Sequence, residues 1–156
     1  MTIRQAQKKD ILKVTDLLSQ VLEVHAALRP DVFVSGTTKY GPAELEAMFQ
    51  NEETPVYVAV DDDDAAVGYA FCQWRETPKS GLFVPSRFLY IDDLCVDAPA
   101  RGQHVGQALV EHVKAEAKKR GCYEVTLNVW AGNDSARRFY EKMGFQVQRS
   151  TMELIL

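Results

Sequence analysis

A turn between a predicted strand and a predicted helix carries the residues best suited to binding an anion. It reads Arg101-Gly102-Gln103-His104-Val105-Gly106. A helix that begins directly after a glycine turn presents unpaired backbone N–H groups, and its dipole adds partial positive charge there. Arg101 supplies a permanent charge and a planar guanidinium that fits phosphate oxygens, and Gly102 and Gly106 allow the backbone to approach a bulky anion closely. The pattern predicts a phosphate-binding site.

The common nucleotide-binding fingerprints do not occur in this chain. There is no Gly-x-x-x-x-Gly-Lys-Ser/Thr and no Gly-x-Gly-x-x-Gly. A dinucleotide fold would also place an acidic residue at the C-terminal end of the next strand, whereas Glu124 falls near the start of that strand. A nucleoside triphosphate or NAD site is therefore disfavoured.

Two adjacent carboxylates, Asp92 and Asp93, precede the turn and are candidates for general-base chemistry. Successive side chains of a strand point to opposite faces, so only one of the two should face a cleft. A β-bulge at this point would change that expectation.

The elements that must position these residues form a strand–turn–helix–strand unit. Residues 88–96 are rich in β-branched and aromatic side chains and predict a strand, followed by a turn at 97–104. A helix follows to about Arg120, with apolar residues at helical spacing, and Gly121 ends it. Residues 123–130 predict the next strand. A crossover through one helix makes the two strands parallel.

The rest of the chain predicts an α/β (α+β) architecture in one domain, residues 1–156. Further strands are expected at residues 2–6, 55–60, 67–71, 145–147 and 151–156. Further helices are expected from about Asp10 to Arg29, at 42–50, and from an Asn133 N-cap to Gly144. The result is a mixed central sheet of about six or seven strands, antiparallel in its N-terminal half and flanked by about four helices.

Composition narrows the class of partner. The 156 residues carry a net charge of −4, which disfavours nucleic acid and suits a cationic acceptor such as an amine. Three cysteines without ligand spacing, Cys72, Cys95 and Cys122, predict reduced core thiols and neither a disulfide framework nor a metal site. No signal peptide or membrane-length apolar run is recognised, so a cytoplasmic protein is expected.

Two motifs resemble the GNAT superfamily of acetyl-CoA-dependent N-acetyltransferases. The family's pyrophosphate loop usually reads Arg/Gln-x-x-Gly-x-Gly/Ala, and Arg101 to Gly106 fits it except at His104, where glycine is most common. The family often has Asn-x-x-Ala-x-x-x-Tyr-Glu-Lys-x-Gly-Phe further on. The matching residues here, in the same register, are Asn133, Ala136, Tyr140, Glu141, Lys142, Gly144 and Phe145. The resemblance covers the C-terminal half well, and only element order agrees in the N-terminal half.

This resemblance implies transfer of an acetyl group from acetyl-CoA to a primary amine. The loop from Arg101 to Gly106 would hold the pyrophosphate, and the pantetheine arm would lie in a gap where the two parallel strands splay apart. Backbone groups of Leu94, Cys95 and Val96 would bind that arm, with Asn133 beside it. By the same resemblance Asp92 is the base, directly or through water, and Tyr140 protonates the departing thiolate.

The acceptor is not identified by any motif. In the family the first two helices and their loop lie over the acceptor site, which makes His25, Arg29, Phe33 and Tyr40 candidates for acceptor contacts. Small amines and protein amines both remain open, and a homodimer is expected from the family habit and an exposed final strand. The alternative function is a CoA-binding regulatory module without catalysis, which would need neither Asp92 nor Tyr140.

Overall fold

The computed structural model describes residues 1–156 and contains one five-stranded sheet. The strands are β1 (Thr2–Gln5), β2 (Val56–Val60), β3 (Ala66–Glu76), β4 (Arg87–Val96) and β5 (Glu124–Leu127). They lie side by side in chain order. The first three pairings are antiparallel and β4 pairs with β5 in parallel, which confirms the predicted mixed sheet and crossover.

Four α-helices flank the sheet: α1 (Ile11–Leu28), α2 (Pro42–Phe49), α3 (Val105–Lys119) and α4 (Asp134–Lys142). Two 3₁₀ turns, Lys8–Asp10 and Ala98–Ala100, precede α1 and the turn before α3. None of the helices has the length and apolar character needed to cross a membrane.

The core has two parts, one on each face of the sheet, and the alternation of strand residues divides them. Val56, Val58 and Val60 of β2 pack with α1 and α2, whereas Tyr57 and Ala59 face α3. All five residues are buried, because helices cover both faces of this strand. The strand therefore reads as a continuous apolar run.

β4 contains a β-bulge at Asp92. In the β3–β4 ladder Phe71 lies opposite Asp93, but Cys72 lies opposite Ile91, so Asp92 is the extra residue. A bulge re-aims neighbouring side chains and increases the local twist. Immediately beside it the β4–β5 ladder ends at the pair Ile91 and Leu127, while β4 continues to Val96.

The prediction of six or seven strands is wrong, because the C-terminal strands expected at residues 145–147 and 151–156 do not form. No backbone hydrogen bond joins residues 146–156 to the sheet. This segment is held to the rest of the chain by side-chain hydrogen bonds, which Gln148 donates to Glu124 and Arg29 donates to Glu153. The expected β5, residues 123–130, is also shorter, so the sheet edge offers only a brief ladder for a partner strand.

Candidate active site

A cleft opens beyond Ile91 and Leu127, where the pairing of β4 with β5 ends. Its floor is the stretch of β4 beyond the last β5 pair, and its walls come from α1, the chain after β5, and α4. The 14 lining residues are Val21, Val24, His25, Ile91, Asp92, Asp93, Leu94, Leu127, Asn128, Val129, Trp130, Asn133, Ala136 and Tyr140. No cysteine or serine is among them, so the cleft itself offers no thiol or serine hydroxyl as a nucleophile.

Asp92 is held by two side chains from the segment between α1 and α2. The Tyr40 hydroxyl donates to Asp92 Oδ2 at 2.7 Å, and Lys39 Nζ lies 2.8 Å from the same oxygen. Only 14% of the Asp92 side chain is exposed. Asp92 thus forms a charge-assisted contact with the ammonium of Lys39 on the same oxygen that accepts from Tyr40.

Asp93 also lines the cleft, because the bulge at Asp92 overrides the simple alternation of the strand. The simple alternation would place only one of the two acids in the cleft, but the β-bulge that would change this expectation is present, and both acids line the cleft. The fully buried Tyr69 donates its hydroxyl to Asp93 Oδ2 at 3.3 Å. Burial raises the pKa of the Asp93 carboxyl to about 6, with Asp92 adding to the rise and Lys39 opposing it.

The raised pKa of Asp93 predicts a specific dependence of stability on pH. The folded protein holds this proton up to about pH 6, whereas an unperturbed aspartate has a pKa of 3.8, so this group's contribution to stability falls between those values as pH rises. We therefore compare the unfolding free energy of Asp93→Asn with that of wild type at two pH values. This difference should shift in favour of the variant by up to about 3 kcal/mol between a pH below 4 and a pH above 6. Urea unfolding of both proteins at the two pH values measures it. A pH-independent difference would contradict the raised pKa.

Tyr140 reaches the cleft from α4 with a free hydroxyl. Its ring packs between Phe139 and Phe145, at centroid distances of 5.1 and 5.6 Å, and its hydroxyl has no hydrogen-bond partner in the protein. Burial first, and the charge of Asp93 second, raise the pKa of Tyr140 above its ordinary value. The phenol therefore stays protonated at neutral pH and is available as a donor.

Asn133 caps α4 as the sequence predicts. Its side-chain Oδ1 accepts a hydrogen bond from the Ala136 backbone N–H at 3.3 Å. The cap also lies on the cleft wall. Its position is thus compatible with the second expected role, contact with a ligand in the cleft.

The turn before α3 presents a row of unpaired amides. None of the backbone N–H groups from Gly102 to Gln107 makes a hydrogen bond to another protein atom. The Arg101 guanidinium lies beside them and donates from Nε to the Val96 carbonyl at 3.2 Å. Free amides at a helix N-terminus beside a guanidinium fit the predicted phosphate site.

Two turn residues have left-handed backbones, which explains the residue types found there. Gly102 has φ +79° and His104 has φ +61°. The left-handed region costs a residue with a side chain roughly 1–2 kcal/mol, a penalty that glycine does not carry. Glycine is the most common residue at the position of His104 in the family that the motif resembles. The left-handed backbone explains that preference, although histidine is among the residues that tolerate this conformation.

Gly106 has a packing role in addition to the one expected at the turn. A Cβ at this position would lie 3.2 Å from Phe139 Cζ and 3.5 Å from Val96 Cγ2. The absence of a side chain thus lets α3 approach α4 closely. Val105 is buried in the core, so only its backbone N–H can face a ligand.

Leu94, Cys95 and Val96 offer backbone rather than side-chain chemistry. All three pair with β3 on one side and have no strand partner on the side that faces away from it. The Cys95 side chain is 4% exposed, and burial raises its pKa to about 12. Cys72 is buried as well, and all three cysteines are free thiols.

Gly102→Ala should weaken binding of an anion at this turn. An alanine Cβ here would meet no other atom within 4 Å, so the substitution acts through the backbone, which alanine would pull from its φ of +79°. We expect an affinity for CoA about tenfold lower, because the amides no longer converge. Isothermal titration measures it, with Gly36→Ala, another left-handed glycine far along the chain, as a matched control. Unchanged CoA affinity would remove the turn from the site.

The four residues expected around the acceptor do lie near the mouth of the cleft. Phe33 stacks on His25 at 5.2 Å and meets Trp130 edge-on at 5.4 Å, and the Arg29 guanidinium lies 5.6 Å from the Trp130 ring centre. Tyr40 is the fourth, and its hydroxyl contacts Asp92. Burial first, then the charge of Lys39, lowers the pKa of His25.

Sequence reasoning missed three residues of this site: Lys39, Asn128 and Trp130. Lys39 stands in a loop without a motif, and its contact with Asp92 spans 53 positions. Asn128 and Trp130 fall within the strand predicted at residues 123–130, but they follow the observed end of β5 and line the cleft. Asn128 Nδ2 also donates to the Tyr90 hydroxyl at 3.1 Å.

The sequence profile of the Acetyltransferase (GNAT) family matches residues 21–145. Peptidyl-lysine N-acetyltransferase YjaB from Salmonella typhimurium is 35% identical over 107 residues, which are 67% of this chain and 61% of that protein. YjaB from Escherichia coli is 33% identical over 106 residues, or 67% of this chain and 59% of that one. The matched regions thus span less than two thirds of these curated relatives.

Solved structures repeat the whole fold. A variant of the BH1408 protein from Bacillus halodurans has a TM-score of 0.95 at 33% identity, covering 100% of this chain and 99% of that one. An aminoglycoside N-acetyltransferase, AAC(6')-Iy in complex with CoA, has a TM-score of 0.73 at 18% identity, covering 99% and 98%. At that identity the second likeness concerns the fold alone.

Proposed function

Because the chain belongs to the acetyltransferase (GNAT) family, whose members use acetyl-CoA, we propose that it transfers an acetyl group from acetyl-CoA to a primary amine. The observation that carries the proposal is the cleft itself. It opens where β4 loses its β5 partner, and it holds two carboxylates and the free phenol of Tyr140. The unpaired amides of the α3 turn follow on the same chain segment.

For the donor, the turn from Arg101 to Gly106 binds the pyrophosphate through its backbone amides and the Arg101 guanidinium. The pantetheine arm follows the partnerless edge of β4 at Leu94, Cys95 and Val96, with Asn133 on the opposite wall. Gln103 and His104 contribute backbone N–H groups. The turn fits the cofactor because its backbone N–H donors have no hydrogen-bond partner in the protein.

For the chemistry, the amine attacks the thioester directly within a ternary complex. No cysteine lines the cleft, and burial raises the pKa of both Cys72 and Cys95, so neither is a thiolate able to carry the acetyl group. Asp92 removes a proton from the acceptor ammonium, directly or through water. A backbone N–H among residues 94–96 steadies the thioester oxygen as charge develops.

Tyr140 completes the reaction by donating its proton to the CoA thiolate. Its hydroxyl is uncommitted, and its raised pKa keeps it protonated. The acceptor is a small-molecule or protein amine. The two relatives named as peptidyl-lysine acetyltransferases support the protein amine, and the carboxylates at the cleft support a cationic acceptor of either kind.

Ligand-dependent thermal stability tests the donor site without any assumption about the acceptor. A ligand that binds only the folded state raises the melting temperature. CoA and acetyl-CoA should stabilise the protein, whereas NAD and ATP at equal concentration should have a smaller effect. Equal stabilisation by ATP would indicate a general nucleotide site and contradict the proposal.

We further propose a homodimer in which the C-terminal segment packs against a second copy. Met152, Leu154, Ile155 and Leu156 are each at least 74% exposed, and β5 is an unpaired sheet edge. Exposed apolar clusters and free edges are typical of interfaces. Light scattering at micromolar concentration should give twice the chain mass, and Leu154→Glu should shift it to the monomer. A monomeric wild type would contradict this proposal.

A cytoplasmic location is proposed on the basis of the cysteines. All three are free thiols, as is usual in a reducing compartment.

A further inference from the structure

Lys39 places its ammonium group inside the mouth of the candidate active site. Its Nζ lies 2.8 Å from Asp92 Oδ2 and 5.5 Å from the Tyr40 ring centre. Burial lowers the pKa of His25 and the charge of Lys39 adds to that effect, whereas the same charge opposes the rise that burial causes in the pKa of Asp93. The ion pair joins residues 53 positions apart, across the segment between α1 and α2.

This contact reproduces what an acceptor amine must do. Under the proposed function, which this inference rests on, a primary ammonium must reach the Asp92 carboxylate and lose a proton to it. The primary ammonium that the structure places on Asp92 belongs to the chain itself. We propose that Lys39 is a self-acetylation site, modified by the cleft of its own chain.

The other lysines that form ion pairs lie elsewhere. None of these lysines or their carboxylate partners is among the residues that line the cleft. The pairs are Lys8 with Glu46, Lys9 with Asp64, Lys13 with Asp16 and Asp97, Lys114 with Glu111 and Lys119 with Glu116. Selectivity for Lys39 therefore follows from position and not from the reactivity of lysine side chains in general.

The chemical step balances with acetyl-CoA as the only co-reactant. The Lys39 ammonium gives one proton to Asp92, and the neutral Nζ attacks the thioester carbonyl carbon. An N–C bond forms, the C–S bond breaks, and the electron pair leaves on the CoA sulfur, which takes a proton from Tyr140. The second Nζ proton lost on forming the amide returns to the Tyr140 phenolate through solvent, and Asp92 releases its proton to solvent. The products are Nε-acetyl-lysine, CoA thiol and one net proton.

The modification also changes the site. An amide carries no charge, so acetylated Lys39 no longer forms the ion pair with Asp92, although it keeps one N–H donor. Asp92 then has Tyr40 as its remaining side-chain partner. A cationic acceptor would then reach an Asp92 carboxylate whose charge Lys39 no longer neutralises.

The test uses the full chain with acetyl-CoA and no added amine. Intact-mass spectra over time should show one acetyl group per chain, and peptide mapping should place it on Lys39. The rate per chain should be independent of protein concentration, because the catalytic cleft and the acceptor lysine belong to the same molecule. Lys39→Arg, which keeps the charge, should remove the modification, and Asp92→Asn should slow it at least about tenfold. Lys114→Arg is the matched control and should leave it unchanged.

The outcomes separate this inference from the proposed function. Turnover of a free amine, with Lys39 acetylated no faster than Lys114, would overturn self-acetylation and leave the acetyltransferase in place. A rate per chain that rises with protein concentration would overturn modification within one chain. CoA binding with neither amine turnover nor Lys39 acetylation would overturn both proposals. Circular dichroism of each variant confirms that folding is intact.

Discussion

Asp92→Asn is expected to lower kcat for amine acetylation by about 100- to 1,000-fold, the usual contribution of a general base. A lysine-type amine has a pKa of about 10.4 and therefore reaches the site protonated at neutral pH. The asparagine amide cannot accept the ammonium proton. The variant keeps a group of the same shape on the bulge of β4. The Tyr40 hydroxyl can still donate to the remaining carbonyl oxygen, so the cleft keeps its form.

The pH dependence of the same variant provides a sharper criterion. If Asp92 is the base, raising the pH deprotonates the free amine and should recover part of the lost rate. Initial rates of thiol release at several pH values measure this recovery. Wild-type kcat in Asp92→Asn would exclude Asp92 from proton transfer.

Asp93→Asn is the matched control, because it removes the neighbouring carboxylate of the same cleft. Asp93 is half-buried and accepts a hydrogen bond from Tyr69, and its pKa of about 6 lies close to the working range of a base. We expect a smaller loss than in Asp92→Asn. A larger loss in Asp93→Asn would reassign the base to Asp93 and leave Asp92 as the ammonium-binding group.

Tyr140→Phe is expected to lower kcat about ten- to a hundredfold, with little change in acetyl-CoA affinity. The effect is smaller than for the base, because a thiolate is already a fair leaving group. The substitution removes only the hydroxyl. The ring keeps its packing against Phe139 and Phe145, so α4 should stay in place.

Two measurements on this variant separate chemistry from binding. Stopped-flow or steady-state thiol release gives kcat, and calorimetric titration gives the CoA affinity. Phe139→Leu on the same helix serves as a packing control, because Phe139 supports α3 at Gly106 and carries no hydroxyl. An unchanged kcat in Tyr140→Phe would remove Tyr140 from the mechanism.

Local patterns predicted the parts of the site that depend on neighbours in the chain. The turn from Arg101 to Gly106, the start of α3 at Val105 and the Asn133 cap all follow from signals a few residues long. Such signals act through backbone conformation and capping, which the nearby residues determine. The parallel pairing of β4 and β5 followed from the single helical crossover that connects the two strands.

Features that depend on distant partners were not predictable in the same way. The bulge at Asp92 exists only in the register between β3 and β4, so the sequence of β4 alone does not show it. The contact of Lys39 with Asp92 depends on how the segment after α1 folds over the cleft. The predicted C-terminal strands also depend on a distant partner. Residues 145–156 have strand-like alternation, but no strand of this chain pairs with them, so they do not join the sheet.

The central claim is that the cleft catalyses acetyl transfer to an amine, and turnover tests it most directly. Acetyl-CoA is incubated with the protein and a panel of small amines, amino acids, aminoglycosides and lysine-containing peptides, and free thiol is followed. We predict thiol release that depends on one amine class, beyond the single equivalent from Lys39, and that falls in Tyr140→Phe. CoA binding without release on any amine would contradict the enzyme and favour a CoA-binding module.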